Sequence, residues 1–68
     1  MMDIKGQVGE AAGQVWHVLF DGGPHTLALL RKKLKGSAEI LDFAIGWLAR
    51  EDKIDIIPEK KSYRIQLR

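Results

Sequence analysis

Cysteine is absent from this 68-residue chain, so neither a disulfide nor a thiolate metal centre supports its fold. Proline occurs only at Pro24 and Pro58, and both positions read as breaks between elements. Long apolar runs are also missing, which argues against a membrane-crossing helix. The opening residues MMDIKGQ lack an apolar stretch and carry Asp3 early, so no secretory signal peptide is expected and the cytoplasm is the expected location. His17 and His25 are the only histidines and do not have HExxH spacing, so no metal site or cofactor is expected. The glycines at 6, 9, 13, 22 and 23 follow no strand pattern and form no phosphate loop. Glu39 and Asp42 lie three apart, but without a pocket such a pair reads as solvated surface charge. A core this small leaves little room for a substrate cleft. Neither an enzyme nor a small-molecule substrate is expected.

What the chain does have is apolar content. Hydrophobic residues make up 46% of it, including two tryptophans, enough for a packed core and too rich for disorder. A single domain over residues 1–68 is expected, burying about 60% of the surface exposed by the unfolded chain. Such a fold is marginal, and its stability must come from packing within a subunit or across an interface. The net charge of +2 conceals segregation. Residues 1–30 sum to −2, residues 31–36 to +4, residues 37–52 to −3 and residues 53–68 to +3. Two basic segments therefore flank an acidic one.

Apolar spacing predicts a first helix that starts between Asp3 and Gln7 and runs to about Phe20. Ile4, Val8, Ala11, Val15 and Leu19 share its core face, with Trp16 and Phe20 widening that face. Gly6, Gly9 and Gly13, spaced three and four apart, are either tolerated or admit a close neighbour. The DGGP segment stops the helix, and Thr26 caps a second helix over Leu27 to Leu34. Leu27, Leu30 and Leu34 face inward on it and Leu29 points elsewhere. After the Lys35-Gly36 turn, Ser37 caps a third helix that runs to about Glu51. Leu41, Ala44, Ile45 and Leu48 form its core stripe. Ile40, Phe43 and Trp47 form a second apolar band, which one small domain rarely buries as well. Ile54 and Ile56, then Tyr63, Ile65 and Leu67, alternate as two strands joined by the PEKK turn. The simplest hairpin lays both apolar rows over the helices.

This order of elements, carried by TLALLRKKLKGSAEILDFAIGWLAREDKI and the hairpin after it, resembles a winged helix-turn-helix domain. It is particularly similar to a small group of stand-alone bacterial winged-helix proteins. The resemblance implies an α+β fold: a three-helix winged helix-turn-helix with a C-terminal two-stranded β-hairpin wing. It also implies that the third helix enters the DNA major groove while the wing touches backbone or minor groove. Leu27, Leu30 and Leu34 match the supporting-helix core, Leu41, Ile45 and Leu48 the buried side of the third helix, and Ile54 the entry to the wing.

The chain departs from that pattern where a reader helix normally offers Arg, Lys, Asn, Gln, Ser or Thr to base edges. Here the outward side offers Ala38, Glu39, Asp42 and Gly46, with Phe43 beside them. Glu39 and Asp42 are the candidate base-facing residues, although they also face a strongly negative duplex. Arg31, Lys32, Lys33, Lys35, Lys60, Lys61 and Arg64 are the candidate phosphate contacts, which give affinity with little sequence information. Trp16, Leu29, Phe43 and Trp47 are the candidate dimer or partner surface, because aromatics are frequent interface anchors. Two expectations follow. One is a homodimeric, regulatory or architectural binder of double-stranded DNA with weak sequence discrimination. The other is a homodimeric protein-interaction module that keeps the fold without binding nucleic acid.

Overall fold

The first helix, α1 (Ile4–Gly22), begins where the Asp3 side chain accepts a hydrogen bond from the Gly6 amide at 2.7 Å. The computed structural model describes residues 3–68. The helix runs two residues past Phe20 and ends at Gly23, whose φ of 78° suits glycine and whose amide donates to the Leu19 carbonyl at 2.9 Å. Ala12, Val15 and Leu19 are buried, with Val8, Ala11 and Val18 packed beside them. Two residues assigned to that face by periodicity lie largely in solvent: Ile4 is 58% exposed and Phe20 64%. Length explains Ile4: nineteen helical residues span about 28 Å, against about 20 Å for the thirteen of the third helix, so the start of α1 outruns its partner. Direction explains Phe20, which is turned about 100° around the helix from the buried Leu19 beside it. Gly9 and Gly13 meet nothing within 4 Å of a notional Cβ, which leaves them tolerated rather than required by a close neighbour.

A two-residue strand, β1 (His25–Thr26), precedes α2 (Leu27–Lys33). Thr26 caps α2 by accepting from the Leu29 amide at 3.1 Å. Leu30 is fully buried, Leu27 and Leu34 are half-buried, and Leu29 is exposed. Gly36, at φ 118°, makes the turn. Ser37 then accepts from the amides of Glu39 (3.2 Å) and Ile40 (3.3 Å) to start α3 (Ala38–Arg50). The stripe Leu41, Ala44, Ile45 and Leu48 is buried throughout, as the spacing predicts.

Asp52, at φ 60°, turns the chain out of α3, and its carboxylate accepts from Arg68 at 2.9 Å. The hairpin β2 (Ile54–Pro58) and β3 (Tyr63–Leu67) follows, closed by the Glu59 amide on the Ser62 carbonyl at 2.9 Å. The sheet gains a strand over the expected two. Its order is β1-β3-β2, antiparallel throughout, with His25 opposite Ile65 and Ile54 opposite Leu67. The three helices and hairpin wing form the expected α+β winged-helix topology.

Pairing of Ile54 with Leu67 and of Ile56 with Ile65 places the two apolar rows on one face, as expected. Burial along that face is uneven. Ile54 and Ile65 are buried, whereas Ile56 on the edge strand and Tyr63 beside the turn are exposed. Ile65 is covered because β3 is the central strand. A single core therefore joins all three helices to the root of the wing.

Candidate nucleic-acid interface

The four basic residues after Leu30 do not form one patch. Arg31, Lys32 and Lys33 occupy the last turn of α2, where positive charge is favoured by the helix dipole whatever else it does. Helical geometry then turns them in different directions. Arg31 reaches α3, where its Nη2 donates to both carboxylate oxygens of Asp42 at 3.0 and 2.8 Å. Lys33 reaches the opposite side of α2, with its Nζ 2.8 Å from Nε2 of His25. An ammonium can only donate and a carbonyl can only accept. Nε2 therefore accepts from Lys33, and Nδ1 carries the ring proton that it donates to the Gly23 carbonyl at 2.8 Å. Lys32 and Lys35 are exposed and make no ion pair among the described residues.

The outward side of α3 carries mixed chemistry. Glu39 is exposed in the first turn. Asp42 is exposed too, but already holds Arg31, so two candidate contacts of different kinds neutralise each other. Gly46 opens the next turn, with nothing near its notional Cβ. Phe43 (57% exposed) and Trp47 (48%) stand four residues apart on one stripe. On the other flank, an apolar cleft of about 230 Å³ separates α3 from the wing, lined by Leu27, Ile45, Gly46, Ile56, Tyr63 and Ile65, with Asp42 beside them.

At the wing tip Lys60 and Lys61 are exposed and make no ion pair among the described residues. Arg64 lies on the face of β3 opposite Ile65, with its Nε 3.7 Å from the Glu59 carboxylate. Both arginines among the seven candidate phosphate contacts thus stand beside carboxylates. Of the five lysines, Lys33 alone has a side-chain partner among the described residues, a histidine.

The candidate partner residues fall into separate groups. Phe43 and Trp47 share α3. Leu29 shares the side of α2 that carries Lys33, away from the Arg31–Asp42 bridge. Trp16 is half-buried on α1 and stacks on the exposed Phe20, with centroids 5.0 Å apart and planes 12° from parallel. His17 meets Trp16 edge-on at 5.6 Å.

Sequence reasoning, which treated His25 only as a candidate metal ligand and set it aside, missed its role in the fold. His25 is buried, pairs with Ile65 across the sheet and ties Lys33 to the α1–β1 connection. Its only linear signal is its place between a Gly-Gly-Pro break and a capping threonine. Among the described residues, no three His, Cys, Asp or Glu side chains gather as a metal site, and no helix is long and apolar enough to cross a membrane.

Residues 2–67 match a protein family described as "Winged helix-turn-helix domain (DUF2582)". The chain is also 41% identical, over 71 aligned residues covering the whole of both proteins, to "Uncharacterized protein MJ1608" of Methanocaldococcus jannaschii.

Proposed function

The chain belongs to the winged helix-turn-helix (DUF2582) family, and on that premise we propose that it binds double-stranded DNA through the phosphates, with weak sequence discrimination, in a regulatory or architectural role. The observation that supports this reading is the placement of the uncommitted lysines. Lys32 and Lys35 lie at the turn before α3, and Lys60 and Lys61 at the tip of the wing on its other flank. Phosphates pass both places when a helix of this kind enters a groove. Base reading is poorly served. Glu39 is acidic, Asp42 is engaged, Gly46 has no side chain, and Phe43 and Trp47 offer apolar surface. Winged-helix modules are non-catalytic, and the arrangement calls for no cofactor.

A salt titration of duplex binding tests the proposal. Four lysine–phosphate contacts give a log–log slope of about −3.6, equivalent to about two orders of magnitude in affinity between 50 and 200 mM salt. Replacing Lys32, Lys35, Lys60 and Lys61 together by glutamine is expected to remove most of that slope. Absence of binding by the unaltered protein at low salt would overturn the reading.

One observation favours the second reading, a homodimeric protein-interaction module. Phe43 and Trp47 are about half exposed on the helix that would enter DNA. Several wet aromatics are costly for a small domain, at about 1.5–3 kcal/mol for each large side chain left unburied. A symmetric dimer is the commonest way to cover them. A dimer through this stripe would keep α3 out of the groove.

A further inference from the structure

Building on the DNA-binding reading, we propose that Arg31 and Asp42 form an autoinhibitory latch, in which Asp42 on α3 holds the Arg31 guanidinium away from the phosphate backbone. Arg31 is the only arginine among the basic residues of segment 31–36, and hence the one group there able to grip a phosphate or a guanine with a planar fork. Its Nη2 is committed to Asp42 at 2.8 and 3.0 Å. While the carboxylate stands beside it, the pair carries no net charge and the attraction of Arg31 for a duplex is cancelled.

The geometry suits a latch rather than a permanent strut. Both carboxylate oxygens engage one nitrogen instead of two, so the parallel two-nitrogen fork of a strong Arg–carboxylate pair is not made. Among the described residues no contact engages Nε or Nη1, which can receive an incoming anion. The two side chains are 46% and 43% exposed, where water and salt weaken such a pair. Glu39, one turn earlier on the same helix, carries the same charge without a cationic partner among the described residues. It therefore provides an internal control for charge alone.

The test is DNA binding by fluorescence anisotropy across a salt series, for the unaltered protein, Asp42→Asn, Glu39→Gln, Arg31→Gln and the Arg31→Gln/Asp42→Asn double variant. Asp42→Asn is expected to tighten binding several-fold more than Glu39→Gln and to steepen the salt slope by about 1, the signature of one added phosphate contact. Arg31→Gln alone is expected to weaken binding modestly, because it leaves the Asp42 charge unneutralised. Measured against Arg31→Gln, the further Asp42→Asn change should gain only as much as Glu39→Gln does in the unaltered protein. Equal gains from Asp42→Asn and Glu39→Gln, or an Asp42→Asn gain undiminished when Arg31 is absent, would overturn the latch. If the unaltered protein fails to bind, the DNA-binding reading fails. Arg31-dependent binding by Asp42→Asn would still support the latch, and silence from that variant too would overturn it.

Discussion

A single Cβ has opposite consequences at different places in this chain. Gly22 ends α1 with its notional Cβ 3.0 Å from Cε1 of His25. That ring cannot retreat freely, because both its nitrogens are engaged and its backbone is paired with Ile65. Gly9 faces open space. Gly22→Ala is therefore expected to destabilise the fold by about 1–3 kcal/mol through overpacking. Gly9→Ala is expected to stabilise it by up to about 1 kcal/mol through helix propensity and loss of unfolded-state freedom. Thermal unfolding checks both, since 1 kcal/mol moves Tm by about 4–8 °C in a domain of this size. Equal shifts of the same sign would contradict the packing assigned to His25.

Among the elements, α3 depends most visibly on its first turn. Ser37 satisfies two otherwise free amides there. Ser37→Ala is expected to cost about 1 kcal/mol, and Ser37→Asp to retain most of that stability, because an aspartate caps as well as serine. Helical CD signal followed through thermal unfolding reads the difference. A Ser37→Ala protein as stable as the parent would show that tertiary packing alone positions the start of α3. The wing behaves differently along its length. Ile54 anchors its root in the core; midway along, Ile65 on the central strand is buried opposite the exposed Ile56, and Tyr63 nearer the tip is exposed beside the cleft. The root is tied to the helices by burial, and Lys60 and Lys61 are carried on the part that is not.

For the molecule as a whole, basic edges stand against apolar stripes. Phe43 with Trp47 and Trp16 with Phe20 are two aromatic groups that one subunit covers incompletely. If the first is a dimer contact, sedimentation is expected to show association that Trp47→Ala weakens by about 2 kcal/mol or more, the scale of an interface hot spot. A parent protein that stays monomeric at high concentration would remove the dimer. The same variant then discriminates between functions. Loss of α3 from a dimer interface should leave phosphate binding intact or improve it, whereas loss of a DNA-facing side chain should weaken it.

Periodicity and punctuation in the linear chain were enough for the three helices, the caps at Thr26 and Ser37, the core stripe of α3 and the shared face of the hairpin. These depend on local geometry: a 3.6-residue repeat, a two-residue repeat and side chains that reach their own backbone. The family resemblance rests on the same regularities. Tertiary structure alone decided which charges are free. Nothing along the chain joins Arg31 to Asp42, eleven residues on, or Lys33 to a buried His25. It also decided that Ile4 and Phe20 lie largely in solvent and that His25 and Thr26 add a third strand to the sheet. Such outcomes depend on the angle and length at which elements meet. A side chain's partner is set by what the rest of the fold brings within about 3 Å of it, and that distance is not written in sequence spacing.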